Sequence, residues 1–245
     1  MFALMRRAPA RRPLVVVATP AEVLANADVG LLGAAERQRS ASLHDPADRA
    51  AYVAAHLLVR RCAAALSGRP VADLAVHQWC ADCGTAGHGR PSIAGSPDVH
   101  ISWGHSRGAV VAAASWHPVG VDVETFPPDG SVVGRFPGLA PAEQWQLRSV
   151  PDPSLLALRH WVRKECLVKA GVAPLDQVDR IDLSRVVERH HRAGRSVSRY
   201  RGLRLVDWRD PTRRALVAVA GAGVPAVRSS TELATAHRKG QCGVE

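Results

Sequence analysis

Apolar residues recur with helical spacing in two long segments of this chain. The first segment lies between Asp45 and Gly68, the second lies between Asp152 and Gly171, and in each the aspartate is followed directly by proline. Aspartate is a favoured N-cap, proline is tolerated in the first helical turn, and glycine is favoured just after the last turn. The pattern therefore predicts two long amphipathic helices, one in each half of the chain.

Shorter runs rich in valine predict strands, because β-branched residues bounded by glycine, proline or polar clusters favour extended backbone. These runs are residues 14–18, 71–79, 99–103, 109–115, 119–124, 203–208 and 215–220. A polar turn over residues 104–108 is expected to join two of them. Because the strands are grouped around a few helices without regular alternation, the sequence predicts an α+β fold with antiparallel sheets.

Composition places the chain among globular proteins of the cytoplasm. Its 245 residues are 47% hydrophobic and 22% charged, which allows a sizeable core and excludes disorder throughout. The five cysteines are thinly spread and odd in number, which favours a reducing compartment. No run approaches the roughly 20 apolar residues that span a bilayer, and no signal-like apolar segment follows the basic N-terminus. We therefore expect a cytoplasmic protein that does not enter a membrane.

The positive charge is carried almost entirely by arginine. The chain has 32 Lys+Arg against 22 Asp+Glu, a formal net charge of +10, yet its only lysines are Lys164, Lys169 and Lys239. Lysine is a compact point charge, and arginine does not replace it where a single phosphate oxygen must be neutralised. Two lysines five positions apart in an arginine-rich chain therefore point to a specific use of that helix.

Two pairs of charged residues could form a site for a cation and a phosphate. Asp122 and Glu124 are two positions apart on a predicted strand, so both carboxylates face the same side. Mg²⁺ commonly takes one or two carboxylates together with substrate phosphates, although a solvated strand end is the alternative. Glu165 and Lys169 are four positions apart on the second predicted helix and share a face with Trp161, where a surface ion pair is the alternative.

These residues fall within motifs that resemble those of the 4′-phosphopantetheinyl transferases of the surfactin-synthetase-activating type. The motifs follow the family order and are Leu58-Val59-Arg60-Arg61, Gly89-Arg90-Pro91, Ile101-Ser102-Trp103-Gly104-His105-Ser106, Val119-Gly120-Val121-Asp122-Val123-Glu124, Leu139-Ala140-Pro141-Ala142-Glu143 and the stretch 161–169. Each motif is weak alone, but together they are specific and cover residues 58–169. Weaker similarity continues to the last predicted strand.

The resemblance implies a fold and a reaction. The fold would have two pseudo-symmetric α+β halves, each a small antiparallel sheet packed with helices, over residues 1–123 and 124–228, followed by a loose tail over 229–245. The enzyme would transfer the 4′-phosphopantetheine arm of coenzyme A to a serine of an apo acyl or peptidyl carrier protein, with Mg²⁺, and release 3′,5′-ADP. Such carriers serve fatty-acid, polyketide or nonribosomal-peptide synthesis. A chain that holds both halves is expected to act as a monomer.

The resemblance also assigns roles to individual residues of this chain. Asp122, Glu124 and Glu165 would hold Mg²⁺, Lys169 would neutralise the pyrophosphate, and Arg60, Arg90 and His105 would contact the phosphates of coenzyme A. Either Glu143 or Glu165 would accept the proton of the serine, and the sequence leaves both open. Gly104 departs from the family serine and removes a hydroxyl that could bind phosphate. This departure leaves open the alternative that the protein is a family member that binds coenzyme A without turnover.

Two other patterns have alternative interpretations. His77, Cys80, Cys83 and His88 could supply four zinc ligands, although a second paired motif is missing and a glycine-rich loop is the alternative. Residues 185–204 contain seven arginines and would suit a nucleic-acid-binding module. Only Tyr200 could offer a base a stacking surface there, so we expect a solvated hairpin whose charge would also suit acidic carrier proteins.

Overall fold

The computed structural model describes residues 12–80, 83–87, 89–126, 138–191 and 194–233. The helices are α1 (Pro20–Leu24), α2 (Ala34–Ala41), α3 (Pro46–Ser67), α4 (Pro141–Leu147) and α5 (Pro153–Lys169). The strands are β1 (Leu14–Ala18), β2 (Val76–Trp79), β3 (Arg90–Ile93), β4 (His100–Ser106), β5 (Ala109–Ser115), β6 (Gly120–Thr125), β7 (Arg189–His191), β8 (Arg195–Tyr200), β9 (Leu203–Asp210), β10 (Ala215–Gly221) and β11 (Ala226–Arg228). Within these residues, no helix is both long enough and apolar enough to cross a membrane.

The strands form two main sheets and one hairpin. The first sheet has the order β11-β1-β5-β4, the second has the order β6-β10-β9-β8-β7, and β2 pairs with β3 alone. Neighbouring strands are antiparallel except for β1 and β11, which run parallel. The predicted α+β fold with antiparallel sheets is confirmed.

The two sheets pack face to face between the two long helices. Along β1, Val15 and Val17 face the second sheet, whereas Val16 and Ala18 face α3. The second sheet alternates in the same way, because Val217 of β10 faces the first sheet while its neighbours pack against α5. Alternation with period two on strands that are covered on both faces explains why β5 and β10 are buried along their whole length. The layers are therefore helix, sheet, sheet and helix.

Both long helices begin and end as their sequence predicts. Asp45 accepts a hydrogen bond from the backbone N–H of Ala47 at 2.7 Å, and Asp152 accepts one from Leu155 at 2.9 Å. Gly68 has φ of 75°, in the left-handed region where glycine is favoured after a helix. These capping interactions join residues close together in the sequence and need no tertiary contact.

Two predicted boundaries differ from the structure. The turn expected over residues 104–108 is shorter, because β4 continues to Ser106 and pairs with β5 up to Ala109. Only Arg107 and Gly108 form the turn, and Gly108 supplies the positive φ of 80°. The strand expected over residues 71–79 begins at Val76, since 71–73 form a short 3₁₀ turn.

The chain passes from the first sheet to the second between β5 and β6, and back to the first between β10 and β11. The predicted division between residues 123 and 124 falls inside β6, which pairs with β10 from Gly120 to Thr125. After β10 the chain returns to the first sheet, where β11 pairs with β1. The predicted tail lies beyond the described residues from position 234 onward.

Candidate active site between β6 and α5

A glycine brings β6 and α5 into direct contact. A Cβ on Gly120 of β6 would lie 1.9 Å from the carbonyl oxygen of Cys166 and 2.5 Å from the amide nitrogen of Ala170, both in the backbone of α5. Only glycine therefore allows the last turns of α5 to lie directly on β6. This close approach places Glu165 and Lys169 beside the carboxylates of β6.

Asp122 and Lys169 form the central ion pair of the site. Their side chains meet at 2.6 Å between Oδ1 and Nζ, and Asp122 is only 6% exposed. Burial raises the pKa of the Asp122 carboxyl despite the opposing charge of Lys169. Burial alone would lower the pKa of Lys169, but Asp122 and Glu165 raise it above its usual value. The neighbouring carboxylates therefore favour the charged form of Lys169.

Glu124 and Glu165 add two further carboxylates to this pair. Burial, followed by the charge of Asp122, raises the pKa of Glu124 to about 7, and Glu165 adds to that effect. Burial and the charge of Asp122 also raise the pKa of Glu165. Ser106 of β4 donates a hydrogen bond to Glu124 Oε2 at 2.8 Å. Three carboxylates thus repel one another in a partly desolvated space that contains a single lysine.

The donor set of this cluster fits a hard cation. Asp122 Oδ2 is buried and has no hydrogen-bond partner among the described residues, and a buried polar atom of this kind calls for a ligand. Carboxylate oxygens are the ligands that Mg²⁺ prefers. In the described parts of the chain, no three His, Cys, Asp or Glu side chains lie close enough together to coordinate one ion. The chemistry of the set fits the cation, with Lys169 holding one oxygen of Asp122.

Gly104, the departure from the family serine, lies directly against this ion pair. A Cβ at this position would be 2.8 Å from Asp122 Oδ1 and 3.3 Å from Lys169 Nζ. The missing side chain therefore makes room for the pair between β4 and β6. A sequence comparison of motifs registers only the lost hydroxyl and not the space that replaces it.

Arg90 and His105 lie at the rim of the same site. The Arg90 guanidinium donates to the carbonyl of Ala170 at 3.3 Å, so an exposed arginine of β3 reaches the C-terminal end of α5. His105 is exposed at the end of β4. Loss of solvation around the ring lowers the pKa of His105, and the nearby charge of Lys169 lowers it further. The structure thus brings two of the three predicted phosphate contacts close to the end of α5 that carries Lys169.

Arg60 is not on a solvated helix face. It is 1% exposed and binds both carboxylate oxygens of Glu36 in α2, at 2.9 and 2.6 Å. His56 contacts the same carboxylate at 2.6 Å, and the hydrogen bonds with His56 and Arg60 hold the pKa of Glu36 at about 2 although burial alone would raise it. Arg60 therefore fastens α2 to α3. Helical spacing showed which residues share a face, but not that α2 covers that face.

Glu143 is likewise enclosed in the protein. It is fully buried, pairs with Lys164 at 2.5 Å, and accepts the backbone N–H groups of Ala140 at 2.7 Å and Leu183 at 2.8 Å. Lys164 also donates to the carbonyl of Gly138 at 2.6 Å. All of these contacts are internal, and they join α4, α5 and the segment around residue 183. Of the two helix lysines singled out by the sequence, only Lys169 reaches the site.

A cleft of about 850 Å³ opens beside α2. Its walls are formed by residues of α2 and β2 with Tyr52 of α3, and they include Glu36, Arg39, His77 and Trp79. The ring of Tyr52 lies 4.1 Å from that of His56 and 6.4 Å from that of His105, so aromatic rings connect this cleft to the end of β4. No sequence signal pointed to Glu36 or Trp79, because neither lies in a recognised motif.

The predicted zinc ligands are only partly described. Cys83 Sγ lies 2.9 Å from Thr85 Oγ1, while His88 lies outside the described residues. The arginine-rich stretch contains the hairpin of β7 and β8, as expected. Its single acid, Glu188, pairs with Arg159 and Arg163 of α5, each at 2.7 Å.

Comparison with known proteins supports the resemblance for the second half of the chain. Residues 118–219 match the model of the 4′-phosphopantetheinyl transferase superfamily. This region contains β6 and α5, and so Asp122, Glu124, Glu165 and Lys169. This part of the chain is therefore similar to that superfamily. No curated protein matches the chain significantly.

Proposed function

We propose that this protein transfers the 4′-phosphopantetheine arm of coenzyme A to a serine of an apo acyl or peptidyl carrier protein, as a Mg²⁺-dependent enzyme of the surfactin-synthetase-activating type. The observation that carries the proposal is the cluster of Asp122, Glu124 and Glu165 with Lys169, which lies within the region that matches the transferase superfamily. A surface ion pair would not need three buried or half-buried carboxylates around one lysine.

Asp122, Glu124 and Glu165 would hold the cation, with the unpartnered Oδ2 of Asp122 as one ligand. When bound, Mg²⁺ would supply a Lewis acid that neutralises charge on the pyrophosphate of coenzyme A. Lys169 has three N–H donors and sits on Asp122, so it can turn one of them to a phosphate oxygen. Arg90 and His105 line the rim and would orient the rest of the pyrophosphate.

In the reaction, the carrier serine oxygen bonds to the β-phosphorus of coenzyme A. The bond from that phosphorus to the oxygen that bridges the two phosphates breaks, and 3′,5′-ADP leaves with the electron pair. The serine proton goes to a base of the enzyme. Lys169 stabilises the charge that develops on the bridging oxygen, which is the effect that dominates phosphoryl transfer.

We propose Glu165 as that base in preference to Glu143. A base must lie within hydrogen-bond reach of the proton that it accepts. Glu165 is half-buried beside Lys169, whereas both carboxylate oxygens of Glu143 are occupied by Lys164 and backbone N–H groups. A substrate hydroxyl would have to displace those internal contacts to reach Glu143.

The cleft beside α2 would accept the nucleotide part of coenzyme A. Tyr52 and Trp79 offer aromatic surface to a base, and Arg39 and His77 offer positive charge to a phosphate. We propose that Arg60 contributes by holding Glu36 and therefore the wall of this cleft. A direct contact from Arg60 to phosphate would require the ion pair with Glu36 to open.

The test is incubation of the protein with coenzyme A, Mg²⁺ and apo carrier proteins, followed by intact-mass measurement of each carrier. We expect the carrier to gain the phosphopantetheine mass. Asp122→Ala and Glu165→Ala should each lower the rate by about 10²–10⁴-fold, whereas Asp179→Ala, at an exposed aspartate of the same region, should leave it unchanged. Calorimetry with coenzyme A should show binding. Binding without mass gain on any carrier would contradict the transferase and indicate a member that only binds coenzyme A.

A further inference from the structure

The edge strands of the two sheets meet side by side, and serine hydroxyls join them. The Ser102 hydroxyl of β4 accepts the backbone N–H of Val121 in β6 at 3.1 Å. Four residues further on, the Ser106 hydroxyl accepts the backbone N–H of Thr125 at 3.2 Å. Alternate residues of a strand face the same side, so Ser102, Gly104 and Ser106 all point from β4 toward β6.

Ser106 does more than join the two strands. Its hydroxyl also lies 2.8 Å from Glu124 Oε2 and 3.1 Å from Thr125 Oγ1. A hydroxyl has one proton, and donating it to the carboxylate leaves its lone pairs free to accept the N–H of Thr125. One side chain thereby fixes the Glu124 carboxylate relative to the backbone of the next residue. Ser102 contacts the backbone of β6 in the same way but no carboxylate.

Resting on the function proposed above, we infer that Ser106 is a positioning residue, which holds Glu124 in the orientation that receives the cation. The neighbouring charges of Asp122 and Glu165 repel the Glu124 carboxylate, and a glutamate side chain has several torsions through which to turn away. A donor of fixed position opposes that rotation. Hydrogen bonds to carboxylates that bind metal orient them in this manner, and their loss commonly costs 10–100-fold in metal affinity.

The experiment titrates Mn²⁺, as a spectroscopic substitute for Mg²⁺, into the full-length protein with coenzyme A present and follows free Mn²⁺ by electron paramagnetic resonance. Ser106→Ala should weaken Mn²⁺ binding by about 10–100-fold. Ser106→Thr keeps the hydroxyl and suits a strand, so it should restore most of the affinity. Ser102→Ala is the matched control, because it removes a hydroxyl from the same strand face without touching a carboxylate.

Each outcome decides the inference. Equal Mn²⁺ affinity of wild type and Ser106→Ala overturns it, as does an equal loss in Ser102→Ala, which would show general loosening between β4 and β6. Failure of the wild type to bind Mn²⁺ overturns it too. Carrier modification by the wild type is scored separately. If Mn²⁺ binding depends on Ser106 but no carrier is modified, the positioning role stands and the transferase proposal fails.

Discussion

Replacing Gly104 with serine tests the site most directly, because the family motif and the structure predict opposite results. The motif carries serine at this position, so the variant should regain a hydroxyl that binds phosphate. In the structure, however, a Cβ at residue 104 would lie 2.8 Å from Asp122 Oδ1, 3.2 Å from Asp122 Cα and 3.3 Å from Lys169 Nζ. We therefore expect Gly104→Ser to disturb the ion pair and to lose activity.

The size of the effect follows from which atoms can move. Asp122 Cα belongs to β6, which is paired with β10, so the carboxylate must rotate and give up its 2.6 Å contact with Lys169. Overpacking a core costs about 1–3 kcal/mol, and the loosened ion pair adds to this cost only in part, because both charges remain. Lys169 is 29% exposed at its side chain and can turn toward solvent, which keeps that addition small. We expect a loss of about 2–3 kcal/mol in the free energy of unfolding.

The assay combines urea unfolding with kcat/KM for coenzyme A in carrier modification. Gly104→Ser should lower kcat/KM by about 10–100-fold. Gly104→Ala should lower the free energy of unfolding as much as Gly104→Ser does, since the clash comes from Cβ. Gly223→Ala is the control, because its Cβ would meet no atom closer than 3.9 Å. A Gly104→Ser variant of wild-type stability and higher kcat/KM would refute the steric argument and favour the motif.

Three other substitutions test the packing that supports the site. Gly120→Ala should cost about 3 kcal/mol or more in urea unfolding, because its Cβ would lie 1.9 Å from a backbone oxygen of α5; a stable variant would mean that α5 does not lie on β6. Glu143→Gln should lower the free energy of unfolding by about 3–5 kcal/mol, because Lys164 would keep a buried charge without its carboxylate partner; normal stability with abolished carrier modification would instead identify Glu143 as the base. Burial lowers the pKa of His160 from 6.5 to about 4, with help from Arg163, so the unfolded chain takes up a proton before the folded one. The free energy of unfolding is therefore unaffected by this residue above pH 6.5 and falls by about 3 kcal/mol as the pH drops from 6.5 to 4. His160→Gln should flatten the pH dependence of the unfolding free energy in that window. An unchanged pH profile would contradict the assignment.

Local signals in the sequence predicted the two long helices, whereas the roles assigned to the residues of the candidate site stay predictions. Asp45 and Asp152 cap α3 and α5 as expected, because capping depends only on neighbouring residues. The turn between β4 and β5 was placed too early, since the polar residues before Arg107 still pair with β5. The Ser106 side chain faces β6, and a contact between two sheets leaves no local pattern.

The sequence by itself determined the two long helices, the strands β1, β4, β5, β6, β9 and β10, the two-residue spacing of Asp122 and Glu124, and the four-residue spacing of Glu165 and Lys169. These depend on backbone periodicity, which is a property of short segments. Only the tertiary structure decided which charged side chains are available to a substrate. Arg60 and Glu143 lie in family-like motifs just as Arg90 and Glu165 do. Yet α2 covers Arg60, and Lys164 of α5 together with the segment around Leu183 encloses Glu143. Burial depends on what packs from elsewhere in the chain, and so on contacts between residues far apart in sequence.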